Sequence, residues 1–225
     1  MTVLLVLATF AVLLAIDYIR KGKPAQEPVV RQQRDIISIP KLSPIYVSGF
    51  EMRDKLRYHP GHTWALSESP TMVRVGLDDF AARLMGKAEG LVLPKRGQWI
   101  RQGQKFATLL REGKKADLVS PIEGEITDVN EAALRDPSLP GRDPYGEGWL
   151  ITVMSPDMKI NFRNLLNGTL ARHWMKEAAD KLRLRIPAMA MAGAVAQDGG
   201  VALADLSGQI PVEEWAEVAH EFFLT

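Results

Sequence analysis

The chain of 225 residues contains no cysteine. That excludes a disulfide framework and any metal or cluster held by thiolates. Charge of one sign is also missing: 28 Lys and Arg against 27 Asp and Glu leave a formal net charge of +1, so the chain as a whole has no electrostatic pull on nucleic acid. No repeat and no low-complexity segment is visible. Several chemical motifs are absent as well. The glycines never form a phosphate-binding loop ending in Lys-Ser/Thr, and there is no dinucleotide fingerprint, nucleophile elbow or His-Glu-x-x-His helix. His59 and His62 lie three apart, but no Asp or Glu stands near them at metal-ligand spacing, so no metal is expected. Asp136 and Asp143 sit in RDPSLPGRD, whose prolines and glycine read as a loop. With no acid, base, nucleophile and metal gathered in one pattern, the chain is read as non-catalytic and without a cofactor. A hydrophobic fraction of 46% with 24% charged residues suffices for a buried core.

One long apolar run is present. Residues 2–16 read TVLLVLATFAVLLAI, followed by Asp17, Tyr18 and Ile19 and then by Arg20, Lys21 and Lys23. A helix over residues 2–19 would be about 27 Å long, usable as a span of a ~30 Å hydrocarbon core with thinning or snorkelling flanks. A cleaved signal would carry its positive charge before the run and small residues at its end. Here the basic cluster follows. The expectation is a single-pass helix over residues 1–19 in the inner, cytoplasmic membrane, with Met1 outside and the rest on the cytoplasmic side, where Arg20, Lys21 and Lys23 favour it. Residues 20–50, with Pro24, Pro28 and Pro40, read as a juxtamembrane linker.

Residues 51–156 are dense in short β segments and turns, as in a small sandwich or flattened barrel. Residues 72–76 (MVRVG) alternate apolar and polar like a half-buried strand. Residues 77–85 (LDDFAARLM) space Leu77, Phe80 and Leu84 helically, with Asp78 and Asp79 in the first turn and Gly86 as the stop. Strands are expected at 91–93, 105–110, 116–119 and 124–130, with a tip at 112–115. Gly113, Gly124, Gly146 and Gly148 are expected in turns with positive φ, and Trp64, Trp99 and Trp149 in the core.

Five groups of residues in this order resemble the H-protein of the glycine cleavage system. They are Tyr58, His62 and Trp64; residues 75–80 (VGLDDF); Leu93, Pro94 and Gly97; Ser120, Pro121, Gly124, Glu125 and Asn130; and Asp143, Pro144, Tyr145, Gly146, Gly148 and Trp149. The resemblance implies a lipoyl-domain-like β fold whose one working group is a lipoylated lysine on a hairpin tip. In that pattern the lysine lies eight residues before the proline of Ser-Pro, with an acid three residues earlier. Counting back from Pro121 reaches Gly113, and the acid's place is taken by Leu110. Lys114 and Lys115 follow one and two steps late, and a step of one residue turns a strand side chain to the opposite face. Lys114 is the alternative attachment point. The reading preferred here is that both lysines form a solvated hairpin tip.

Beyond residue 156 the chain continues past a simple H-protein. Residues 169–184 read as a helix with a stripe of Leu170, Trp174, Ala178 and Leu182. Asp198, Gly199 and Gly200 mark the bend of a hairpin, and residues 212–222 form an amphipathic last helix with Trp215, Val218 and Phe222 on one face, begun by Pro211. This part resembles longer, unlipoylated H-like proteins of bacteria, on Ala171, Arg172, Trp174 and residues 198–200. The expected architecture is α+β: transmembrane helix, H-protein-like β-sandwich at 51–156, and an α/β extension at 157–225 packed on it. The expected function is a non-catalytic, membrane-anchored accessory or structural subunit of a larger integral-membrane complex, respiratory or photosynthetic. Its partners would be the bilayer and other membrane subunits, not nucleic acid. A mobile carrier serving soluble enzymes would gain nothing from a tether. The alternatives are a lipoyl carrier modified at Lys114 and a ligand-binding regulatory module.

Overall fold

A computed structural model describes residues 43–186 and 205–224. The expected transmembrane helix, its flanking Arg20, Lys21 and Lys23, and the bend at residues 198–200 lie outside the described residues. Among the described residues no helix is long and apolar enough to cross a membrane.

The elements run β1 (Pro44–Val47), β2 (Phe50–Arg53), β3 (Arg57–His59), β4 (Thr63–Ser67), β5 (Met72–Leu77), α1 (Asp79–Met85), β6 (Gly90–Val92), β7 (Trp99–Ile100), β8 (Lys105–Arg111), β9 (Lys114–Val119), β10 (Gly124–Val129), α2 (Glu131–Arg135), α3 (Leu139–Arg142), β11 (Ile151–Met154), α4 (Met158–Arg163), α5 (Gly168–Arg185), a 3₁₀ turn (Ser207–Gln209) and α6 (Val212–Phe223). One antiparallel sheet has the order β3-β4-β5-β11-β10-β7, a second β6-β8-β9, and a hairpin β1-β2 completes the set. The sheets form the expected sandwich around one hydrophobic cluster that includes Val73, Val75, Ile126, Val153, Leu109 and Leu118. Alternation is the cause. In β5, Val73 and Val75 point into the cluster while Met72 and Arg74, which alternate with them, stay partly exposed, as the two-residue period of a strand requires.

Several expectations move. Residues 44–50, assigned by sequence to the linker, are strand and turn, and Phe50 and Met52 are fully buried. Leu77 ends β5, and the helix begins after Asp78, whose carboxylate accepts from Ala81 N at 2.9 Å as an N-cap. The stretch around Asp136 and Asp143 contains the short helix α3, with a proline in its first turn. Gly146 and Gly148 do not have positive φ. A Cβ at Gly148 would stand 2.5 Å from the Asp143 carbonyl oxygen and 2.6 Å from Pro140 Cα, so close backbone approach demands glycine there. Trp99 is not a core residue but 49% exposed, because on β7 it is Ile100 that takes the inward position.

The extension is packed on the sandwich through α5 and α6, which belong to the same buried cluster. On α5 the buried residues are Ala171, Met175, Ala178, Ala179 and Leu182, while Leu170 is 60% exposed. A strict i, i+4 row drifts around a helix of 3.6 residues per turn, so the seam alternates steps of four and three and starts at Ala171. On α6 the expected Trp215, Val218 and Phe222 are all buried, with Ala219 and Phe223 beside them. Pro211 precedes the helix as its N-cap rather than opening it.

Tightness of the sandwich is visible at Gly76, where an added Cβ would stand 2.6 Å from Trp64 Cε2. That indole is fully buried and donates to the Leu77 carbonyl at 2.7 Å. Gly76→Ala is therefore expected to lower stability by roughly 1–3 kcal/mol through overpacking. Urea unfolding of the full-length chain followed by tryptophan fluorescence measures it, and an unchanged midpoint would mean that the indole has room to retreat.

Candidate functional site

The site indicated by the sequence is the end of the β8–β9 hairpin. Its register pairs Arg111 with Lys114 and Leu110 with Lys115, leaving Glu112 and Gly113 as a two-residue turn. Both have positive φ, 47° and 76°, the combination of a tight hairpin turn whose twist suits the flanking strands. Gly113 thus stands at the apex, where the sequence pattern would put a carrier lysine. Nothing lies within 4 Å of the place where its Cβ would be, so the apex itself is open.

The amine next to it is not. Lys114 was expected at a solvated tip, but it is only 5% exposed. Its Nζ donates to the Ser207 carbonyl oxygen and lies 5.6 Å from the centre of the Trp215 ring. The strand period is the reason: one step past the apex, the side chain falls on the face covered by the C-terminal extension. Lys115 takes the other face. Its side chain is exposed and its Nζ sits 3.0 Å from Asp117 Oδ2, which raises the amine above its ordinary range.

Three ties fasten the extension to this hairpin. Arg111 Nη1 donates to Asp205 Oδ2 at 2.7 Å, Lys114 reaches Ser207, and Trp215 Nε1 donates to the Lys115 carbonyl at 2.7 Å. Asp205 also accepts from Ser207 N at 3.0 Å and Ser207 Oγ at 2.8 Å. Partial burial works against the Asp205 charge, but these donors outweigh it and hold the carboxyl below its usual range. Beside the hairpin a cleft of about 720 Å³ runs from Glu51 and Arg53 past Asp79 and Arg83 to Tyr145 and Asp205. Its guanidinium groups already hold carboxylates, Arg83 with Asp79 at 2.8 Å and Arg53 with Glu51 at 2.5 Å. Burial pushes the Asp79 carboxyl up despite Arg83.

The histidines take different parts. His62 is fully buried with φ 60°. Its Nδ1 is 2.9 Å from Asp78 Oδ2, and its ring is stacked on Phe80 at 4.0 Å and tilted against Trp174 at 4.6 Å. It joins the β3–β4 turn to α1 and to the extension. His59 Nδ1 accepts from Gly61 N at 3.0 Å. Among the described residues no group of three or more His, Asp or Glu side chains could hold a metal ion. Sequence reasoning missed the clamp because Asp205 and Ser207 carry no motif and meet the hairpin only in three dimensions.

Burial, with His62 adding to it, pushes the His59 imidazole down to about 4 from the ordinary 6.5. Above pH 6.5 neither the folded nor the unfolded chain is protonated there, and the group is neutral in its effect. Between about pH 6.5 and 4 the unfolded chain takes up the proton first, so stability falls with pH, by up to about 3 kcal/mol. His59→Asn keeps an acceptor for Gly61 N and is expected to flatten that acid limb. Denaturation midpoints between pH 7 and pH 4 test it, and parallel profiles for the two proteins would refute it.

Residues 56–178 match the family model described as glycine cleavage H-protein. The chain is 38% identical over 108 residues to the probable glycine cleavage system H protein of Aeropyrum pernix, a match covering 48% of this chain and 75% of that one. It is 33% identical over 147 residues to the probable glycine cleavage system H protein 2 of Sulfurisphaera tokodaii, covering 62% and 95%. Among solved structures, a glycine cleavage system H protein from Mycobacterium marinum aligns at 30% identity over 47% of this chain and 87% of that one, with a TM-score of 0.44.

Proposed function

Since the chain belongs to the glycine cleavage H-protein family, we propose that it keeps the family's body without its carrier chemistry. In this reading it is a non-catalytic scaffold subunit fastened to a membrane through residues 1–19, its body on the cytoplasmic side among other integral-membrane subunits. The observation that carries the reading is the burial of the Lys114 amine beneath Ser207 and Trp215. A swinging arm needs an amine that a modifying enzyme can reach and a tip that can move.

Magnitudes favour the clamp. Freeing Lys114 requires the segment from Asp205 through α6 to leave the hairpin. That breaks three ties, each worth about 1 kcal/mol, and returns Trp215, Val218, Phe222 and Phe223 to water at roughly 2 kcal/mol each. These contacts favour the closed form against the chain freedom that opening would return. The second reading, a lipoyl carrier modified at Lys114, has the family itself in its favour but requires that opening. The apolar run at residues 2–16 supports the tether, and a body with a pinned hairpin suits an element that holds neighbours in place.

Two measurements check this. Full-length protein extracted from its native membranes in mild detergent is expected to carry no lipoyl mass on the peptide containing Lys114 and Lys115, and to bring partner subunits in fixed stoichiometry. Exposed to a lipoate ligase, the wild type is expected to stay unmodified, while Gly113→Lys, which projects an amine into open space, acquires the adduct. A lipoyl group on Lys114 of native protein, or a lone monomer from the membrane, would end the scaffold reading.

A further inference from the structure

A second cavity, of about 280 Å³, lies against the first turn of α5. Its wall is built by Arg53, Lys55 and Arg57 from the β2–β3 segment and by Arg172 from α5, with Asp54 the one acidic lining residue. Its floor is apolar, formed by Ile45, Met52, Leu56 and Ala171. Arg53 already holds Glu51 at 2.5 Å, so Lys55, Arg57 and Arg172 against Asp54 make the concave positive surface, and concavity concentrates that field.

The condition of two of these cations is informative. Several guanidinium groups of the chain hold carboxylates, as Arg74 holds Glu68 at 2.5 Å and Arg111 holds Asp205 at 2.7 Å. Arg57 instead faces the Asn167 side-chain amide, whose oxygen accepts from the guanidinium when the amide is turned oxygen-inward, and lies 5.9 Å from the Phe162 ring centre. Arg172 Nη2 donates to Thr169 Oγ1 at 3.2 Å. Both partners are neutral, and among the described residues neither arginine has a carboxylate within ion-pair distance. Their charge is left for something else. Guanidinium forks match the oxygens of phosphate in pairs.

The helix end adds to the same field. Asn167 makes no side-chain cap bond, the first turn of α5 holds no acidic residue, and the place of a Cβ on Gly168 is open. The helix thus begins at the cavity, which Asn167 and Gly168 line, without a side-chain cap, an arrangement that favours an anion.

We propose that this cavity binds a phosphate group attached to an apolar or neutral moiety, the phosphate between Arg57 and Arg172 and the remainder over Met52, Leu56 and Ala171. The proposal does not depend on the scaffold reading, since it uses neither the hairpin nor the tether. It also gives Arg172, which the sequence pattern singles out between the buried Ala171 and Trp174, a task of its own. The same chemistry has two sources, an anionic phospholipid headgroup and a soluble phosphate ester.

Full-length protein in neutral sugar-detergent micelles, titrated calorimetrically with inorganic phosphate at constant ionic strength against chloride, is expected to bind phosphate. Hydrogen-exchange protection should then rise at residues 53–58 and 167–172. Arg57→Gln and Arg172→Gln, whose circular dichroism should match the wild type, are each expected to weaken binding about tenfold, the loss of one charge-assisted contact of ~1.4 kcal/mol. Phosphatidylglycerol is then mixed into the micelles. Displacement of phosphate assigns the headgroup as the source, and unchanged phosphate affinity assigns a soluble ester. Phosphate heats equal to chloride, or phosphate affinity retained in the double variant, would overturn the site.

Discussion

The fold depends most on a buried pair, His62 and Asp78. Two bonds join them: the Asp78 carboxylate reaches His62 Nδ1 at 2.9 Å, and Asp78 N donates to the His62 carbonyl at 3.1 Å. The other carboxylate oxygen of Asp78 starts α1, so one side chain both caps a helix and fixes the turn that precedes β4. The His62 ring then lies against Phe80 on one side and Trp174 on the other, with Phe222 at 6.2 Å. Both helices of the extension therefore find their seat on this histidine. Polar groups with no exposure tolerate no loose partner, and removing one member leaves the other buried and unsatisfied at a cost of about 1–3 kcal/mol. That penalty makes the junction a place where the extension has a single way to dock.

From that seat the rest follows by geometry. With α5 and α6 held at His62, the residues leading into α6 are carried over the β8–β9 hairpin, where Asp205, Ser207 and Trp215 meet Arg111, Lys114 and the Lys115 carbonyl. A hairpin offers its two faces to alternate residues, so the clamp takes Lys114 and leaves Lys115. Had the amine stood at position 113, it would have projected from the apex, beyond reach of either face. The apex residue is Gly113, and the lysine that follows it is the one that the extension covers.

Much of this was legible in the sequence. The alternation at residues 72–76, the breaks at Gly86 and Gly113 and the motif order around Ser120 and Asp143 correctly gave a β-sandwich with a hairpin at the expected place. They succeed because strand period and turn chemistry are local properties. Failures arise where a neighbour distant in sequence decides. Trp99 has the composition of a core residue, but lies outward on a two-residue edge strand. Leu170 fits an i, i+4 row that drifts off the buried seam. Lys114 looks like any hydrophilic tip residue until the chain returns at Ser207, 93 positions later. Gly148 is correctly placed as a required glycine but for another reason, crowding by backbone rather than positive φ, while Gly146 is crowded by the Asp143 carboxylate.

The two arginines of the cavity show how one short helical segment serves packing and recognition together. On α5 successive side chains are turned by about 100°. Ala171 is therefore buried, Arg172 points past the helix end, and Trp174 reaches back to His62 and Tyr58. Arg57 and Arg172 come from separate elements, so a ligand held by both would stabilise the docked extension by mass action. By the same linkage, it tightens the cover over Lys114. The open apex and the charged cavity are then two ends of one docked element, and the stability of the His62 junction sets how firmly each is held.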